Sequence, residues 1–115
     1  MRLSRLLALT AFTCTLAGCH SAWIDATISN RTPDTLTGVE LDYPSASFGT
    51  GTLGPGATYH YRFKILGSGP TKILWTDATR HDHTVAGPHL NEGQEGSLTV
   101  AITPTTATFS SNLKP

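Results

Sequence analysis

The 115-residue sequence contains few cysteines, methionines and charged residues. It has two cysteines, Cys14 and Cys19, and one methionine. The chain after residue 19 therefore cannot build a cysteine-ligated metal site. Charged residues make up only 14% of the chain, with eight Lys and Arg against eight Asp and Glu. This low, balanced charge excludes the basic patch that nucleic-acid binding needs. The long apolar stretch of a transmembrane helix is also absent.

The amino terminus has the pattern of an export signal. Arg2 and Arg5 form a short basic region, and residues 6–18 are uncharged, mostly apolar and too short to span a bilayer comfortably. The run closes on Leu16-Ala17-Gly18-Cys19, and in this it resembles a bacterial lipoprotein signal with its lipobox. The resemblance implies that residues 1–18, a signal helix, are removed. It also implies that Cys19 is lipidated and anchors the chain to a membrane of the cell envelope.

That resemblance has consequences for the rest of the chain. With Cys14 discarded and Cys19 acylated, no thiol would be left to form a disulfide, so apolar burial alone must hold the fold. Residues 19–22 would be the lipidated terminus and a short tether. Position 20 is His rather than Asp, so the inner-membrane retention pattern of some lipoproteins is missing and the outer membrane is preferred.

Short segments with period-two alternation, separated by Gly, Pro, Asn and Asp, recur from residue 24 to residue 102. They predict an all-β domain over residues 23–104, a two-sheet sandwich of six to seven strands, with a small barrel as the alternative. Residues 46–53 are expected to form an edge strand or to carry a bulge, and Trp75 to lie at the centre of the core. Residues 105–115 are expected to be a flexible tail. In this pattern the chain resembles small bacterial lipoproteins that carry one immunoglobulin-like domain.

Three motifs resemble catalytic or cofactor-binding sites, but the residues around them do not fit those functions. Gly49-Thr50-Gly51-Thr52-Leu53-Gly54 matches a dinucleotide-binding fingerprint, but Pro55-Gly56 and an alternating strand follow it instead of a helix. Ser68 lies in a Gly-Ser-Gly-Pro turn rather than in a nucleophile elbow. Glu40 and Asp42 project from the same strand face, where a solvated row of acids is the simpler interpretation.

Two further groups of side chains have both a structural and a functional interpretation. Tyr59, Tyr61 and Phe63, followed by Ile65, alternate on one strand face and favour core packing over a platform for sugars or peptides. His81 and His83, two residues apart, would point to one face of a strand. Copper or zinc could bind them, with His60 or His89 approaching from a neighbouring strand.

We therefore expect a membrane-tethered interaction or structural module that is not an enzyme and needs no cofactor. An envelope protein is the expected partner, besides the membrane itself. Metal binding through His81 and His83 is the alternative function, and an enzyme ranks third. Fold alone cannot choose among these functions.

Overall fold

A computed structural model describes residues 22–115. The predicted signal segment, Cys19 and most of the predicted tether lie outside the described residues. Within residues 22–115 there are eight strands, and no helix is long and apolar enough to cross a membrane. The strands are β1 (Ile24–Asn30), β2 (Leu36–Tyr43), β3 (Ala46–Leu53), β4 (Thr58–Phe63), β5 (Lys72–Thr76), β6 (Asp82–Ala86), β7 (Glu95–Ile102) and β8 (Ala107–Lys114).

The strands form two four-stranded sheets, one in the order β4-β1-β7-β8 and the other in the order β3-β2-β5-β6. A single apolar cluster fills the space between them, so the predicted all-β sandwich is confirmed. Strands β1 and β7 pair in parallel, and the other pairs are antiparallel. Because β1 and β2 lie in different sheets, the strand order differs from that of immunoglobulin constant domains, whose first two strands share a sheet. The likeness to immunoglobulin domains is one of architecture.

The core follows from the alternation in the sequence. In β1 the side chains of Ile24, Ala26 and Ile28 are buried, and the residues between them face outward. Burying each large aliphatic side chain of this kind contributes roughly 1.5–3 kcal/mol. Trp75 in β5 is only 2% exposed and belongs to the core, but it lies at the end of β5 that leads into the connection 77–81 rather than at the centre.

Residues 105–115 are not the loose tail that was expected, because β8 occupies most of this segment. The prediction was wrong since it considered only the few apolar side chains of the segment. β8 pairs with β7 along its whole length, from Ala107 opposite Ile102 to Lys114 opposite Glu95. Backbone hydrogen bonding to a well-buried neighbour supplies order that the side chains alone do not. This strand also explains why there are eight strands rather than six or seven.

β3 is an edge strand, as predicted for residues 46–53. The irregularity that was expected there falls on its partner β2, between Thr37 and Glu40, where Gly38 has a φ of 56°. A side chain at Gly49 would collide with the carbonyl of Val39, so the two strands approach closely at this point. The glycines of residues 49–54 therefore belong to a strand edge and the turn after it.

The alternating strand directions divide the connections between two ends of the sandwich. The proximal end is where β1 begins, and it holds the connections 44–45, 64–71 and 87–94 together with the carboxyl terminus. The distal end holds the connections 31–35, 54–57, 77–81 and 103–106. An eight-residue strand is about 26 Å long, which sets the separation of the two ends.

Candidate binding cleft at the distal end

The buried side chain of Asn30 holds two distal connections in place. Asn30 is 1% exposed, and its Nδ2 donates to the carbonyl oxygens of Asp34, Leu53 and Gly54 at 2.8, 2.9 and 3.0 Å. Its Oδ1 accepts from the backbone N–H and the hydroxyl of Thr32 at 2.9 and 2.7 Å. Buried polar groups are costly unless they are bonded, and here every polar atom of the side chain is used. The loops after β1 and β3 are therefore cross-linked through one side chain.

The β5–β6 hairpin is organised around the carboxylate of Asp77. Its Oδ1 accepts from the backbone N–H and hydroxyl of Thr79 at 2.9 and 2.7 Å, and from the backbone N–H of His81 at 3.0 Å. An acid that bonds to the backbone two residues further on is a common turn former. Arg80 completes the turn with a φ of 67°, a left-handed conformation that costs a non-glycine residue about 1 kcal/mol or more.

The second oxygen of Asp77 fixes the position of His83. Oδ2 lies 2.7 Å from His83 Nε2, and because a carboxylate only accepts, we assign the proton to Nε2. The imidazole in turn stacks on Trp75, with ring centroids 4.8 Å apart and planes 7° from parallel. His83 lies directly opposite Trp75 in the β5–β6 pairing. The hairpin register therefore places His83 at the distal end, stacked on Trp75 and hydrogen-bonded to Asp77.

This network determines the charge of Asp77. The hydrogen bond from His83, followed by those from the His81 backbone and the Thr79 hydroxyl, holds the pKa of Asp77 well below its usual range. The carboxylate therefore stays ionised at neutral pH, with about four acceptor sites and four bonds already made. The ionised carboxylate has no proton to donate, and little of its capacity to accept hydrogen bonds is left for a ligand. Its role in the molecule is to hold the hairpin.

A cleft of about 170 Å³ opens between three of the distal connections. Trp75 and Leu36, which are 2% and 1% exposed, lie beneath its floor. Pro33, Ala78 and Pro104 supply exposed apolar surface, and Asp34, Asp77 and three threonines supply polar atoms. The lining residues are Thr32, Pro33, Asp34, Leu36, Trp75, Asp77, Ala78, Thr79, Thr103 and Pro104. Pockets for drug-sized ligands and cofactors are generally of about 300–1,000 Å³. The cleft is therefore of a size for one side chain or a short chain segment.

The structure brings together only part of the predicted histidine cluster. His81 lies in the turn before β6, where its Nδ1 is 2.7 Å from the Thr79 hydroxyl and 3.9 Å from Asp77 Oδ1. His60 lies on the outer face of the other sheet beside Thr27, and His89 belongs to a proximal connection. Among residues 22–115, no group of three or more His, Cys, Asp or Glu is placed to hold a metal ion.

Glu40 and Asp42 project from the outer face of the second sheet. The pKa of the Glu40 carboxyl is raised, first by a hydrogen bond to Asp42 and then by the negative charge of Asp42. That bond exists only while one of the two carboxyls carries a proton. Glu40 is exposed, and Lys72 Nζ lies 3.9 Å from Asp42 Oδ2, so the two acids form part of a solvated, charged surface.

The aromatic residues of β4 meet those of β2 and β3 where two sheet edges approach. Phe63 is 3% exposed and Phe48 is 7% exposed, as core packing requires. Tyr61, at 43% exposure, stacks on Phe48 with ring centroids 4.4 Å apart. The predicted core role is therefore correct for most of this face, and Tyr61 is its outer margin.

Asp77 is the residue of this site that sequence reasoning missed. The signal was present as an Asp two residues before a Thr in a hairpin connection, which is typical of a side-chain-bonded turn. No protein-family model and no curated protein sequence matches the chain.

Proposed function

We propose that this chain is a lipid-anchored lipoprotein of a bacterial envelope whose sandwich is a non-enzymatic binding module. The observation that carries the proposal is the position of the distal cleft. It lies at the opposite end of the sandwich from the start of β1, and so from the membrane side that an anchor at Cys19 implies. A partner protein in the envelope would insert a side chain or short segment beside Trp75.

The anchor is tested by replacing the lipidated residue. In the parent chain we expect cleavage before Cys19, a mass increase for the lipid and recovery in the membrane fraction. Cys19→Ser should abolish all three, while Cys14→Ser, in the discarded segment, should leave them unchanged. Equal processing and membrane partitioning of the parent and Cys19→Ser chains would contradict the proposal.

The cleft is tested by photo-crosslinking in intact cells. A benzophenone amino acid at Ala78, which lines the cleft, should give an adduct of discrete mass. The same group at Thr84, on the outer face of the second sheet, is the matched control and should not. Asp34→Arg, which reverses a charge on the cleft wall, should weaken the Ala78 adduct. The proposal fails if both positions crosslink equally or if Asp34→Arg leaves the adduct unchanged.

The absence of enzymatic function is an inference from how the polar groups are used. The Asp77 carboxylate is saturated by hydrogen bonds, and Glu40 and Asp42 lie on the outer face of the second sheet, outside the distal cleft. A reproducible hydrolytic activity in the purified chain that is abolished by one point change would reverse this inference.

Copper or zinc binding is the second candidate function. It is favoured by the hairpin, where His83 and His81 lie 2.7 and 3.9 Å from the same Asp77 carboxylate. A metal would have to replace the proton between His83 and Asp77. Titration of the chain with each metal should then show binding that a His81→Ala, His83→Ala variant loses. Unchanged affinity in that variant would remove this candidate.

A further inference from the structure

Several side chains at the proximal end are unusual for a surface that faces only water. Leu66, in the connection after β4, is 69% exposed and is the most exposed large apolar side chain among residues 22–115. It is held in place, since its backbone N–H donates to the Ser45 hydroxyl at 3.2 Å. A single exposed leucine needs no explanation by itself. Other side chains at the same end of the sandwich supply a second observation.

Trp23 lies next to the start of β1 and carries two cations over its ring. The guanidinium carbon of Arg62 is 4.9 Å from the ring centroid, and Lys64 Nζ is 4.8 Å from it. A tryptophan with lysine and arginine beside it is typical of the zone between lipid headgroups and acyl chains. Lysine and arginine stems can lie along apolar surface while their charged heads reach the phosphates.

The connection to the lipid limits how far this surface can lie from the bilayer. Only residues 20–22 separate Cys19 from Trp23. Four extended Cα–Cα steps span at most about 14 Å, which is about half the length of the sandwich. An anchor at Cys19 therefore keeps Trp23 and the adjacent Lys64 near the headgroups, and Leu66 belongs to the same end of the sandwich.

We propose that the proximal surface formed by Trp23, Arg62, Lys64 and Leu66 docks on the bilayer, against anionic headgroups. This inference rests on the proposed lipid anchor. Arg62 is partly neutralised by Asp25, 3.5 Å away, and the acids Glu92 and Glu95 also lie at the proximal end, so the surface carries little net charge. Docking depends on the high local concentration that tethering provides. The consequence is a sandwich that stands with its distal cleft pointing away from the membrane.

Intrinsic fluorescence of the processed, full-length lipoprotein in vesicles with brominated acyl chains tests the docking. The described chain has two tryptophans, Trp23 at the proximal end and Trp75 buried near the distal end. Quenching by bromine is short-range, so we expect the Trp23 emission to be quenched in vesicles that contain phosphatidylglycerol. Trp23→Phe, which leaves only Trp75, should show no quenching and identifies the emitter.

Variants assign the contact to this surface. Lys64→Gln should lower the docking equilibrium constant about fivefold, from roughly 1 kcal/mol per surface cation, and Leu66→Ser should lower it roughly tenfold. Arg31→Gln, which removes an exposed cation at the distal end, is the matched control and should change nothing. Vesicles of phosphatidylcholine alone should give weaker quenching than anionic ones.

The intact mass of the same sample separates the two proposals. A chain without lipid on Cys19 overturns the anchor and the docking together. A lipidated chain whose Trp23 is unquenched overturns the docking alone. Quenching that neither Lys64→Gln nor Leu66→Ser reduces would also overturn the docking surface as assigned.

Discussion

The two ends of the sandwich differ in how their polar and apolar groups are satisfied. At the distal end, Asn30 and Asp77 use all their hydrogen-bonding capacity within the protein. At the proximal end, Leu66 is exposed and the cations of Arg62 and Lys64 lie over Trp23. The distal end is therefore fixed by hydrogen bonds within the chain, whereas the proximal end presents an exposed apolar side chain and two cations on its surface.

The largest effect is expected from removing the side chain of Asn30. Asn30→Ala removes a donor from the carbonyls of Asp34, Leu53 and Gly54 and the acceptor of the Thr32 N–H, although the Asp34 carbonyl keeps the Thr32 hydroxyl and the Gly54 carbonyl keeps the Ala57 N–H. The free energy of unfolding should fall by about 3 kcal/mol, as measured by urea denaturation. Ser29→Ala, on the outward face of the same strand, should cost less than about 0.5 kcal/mol. If the two variants lose similar stability, Asn30 does not hold the distal loops.

Asp77→Asn should alter the pH dependence of stability. The folded-state pKa of Asp77 is depressed, so its stabilisation is present above the ordinary value of 3.8 and is lost as pH falls through the folded value. The parent Tm should therefore drop steeply below about pH 4. In Asp77→Asn the Tm should be lower at neutral pH and less steep at acid pH. Parallel Tm curves for the two chains between pH 2 and 7 would contradict the assignment.

Gly87→Ala tests the close packing of β8 at the proximal end. A Cβ at Gly87 would lie 2.5 Å from the Phe109 ring and the Thr71 hydroxyl. Overpacking of this kind costs about 1–3 kcal/mol, which chemical denaturation can measure. Gly51→Ala is the matched control, because a Cβ there meets nothing within 4 Å. A stability equal to that of Gly51→Ala would mean that β8 is not held as described.

Arg80→Gly should stabilise the chain. Glycine adopts a left-handed φ of 67° without strain. Removing the strain should raise the free energy of unfolding by at most about 1 kcal/mol, and the greater entropy of glycine in the unfolded state reduces that gain. Ala78→Gly, in the same turn with ordinary φ, should destabilise slightly. Thermal unfolding of both variants checks the sign, and a lower Tm for Arg80→Gly would disprove the strain.

The smallest effect is expected at Glu40, outside both ends. The folded-state pKa of Glu40 is raised by Asp42. Protonated Glu40 therefore contributes to folding stability below its ordinary pKa of 4.5, and this contribution is lost as pH rises through the folded-state pKa. Glu40→Gln should therefore raise stability above about pH 6, by roughly 0.2–0.5 kcal/mol after allowance for solvent screening. The gain should shrink in high salt. Glu92→Gln, an exposed acid on a proximal loop, serves as the control, and an equal gain there would refute the specific pairing.

Alternation made much of the sandwich predictable from the sequence. Where one face of a strand is buried, as in β1 with Ile24 and Ile28, apolar and polar residues must alternate, so the strand and its inner face can be read directly. β8 could not be read this way, because its order comes from pairing with β7, more than from its own Ser and Thr side chains. Strand pairing is a property of the folded chain rather than of a local pattern.

The site was less predictable for the same reason. His83 was expected to share a strand face with His81, but the hairpin turn takes His81 out of β6. What His83 contacts is set by the β5–β6 register, which places it opposite Trp75 and within reach of Asp77. The distal cleft is lined by three connections that are far apart in the sequence, so no single stretch of residues predicts it.

The parallel pairing of β1 with β7 has a consequence for biogenesis. Ile24 is aligned with Gly96, so a central strand of one sheet pairs with a segment that is synthesised some 70 residues later. Until then β1 can pair only with β4, and contacts of such long range slow folding. If the amino terminus is already fastened to lipid, the chain closes its sandwich on the far side of the membrane, starting from an immobilised first strand.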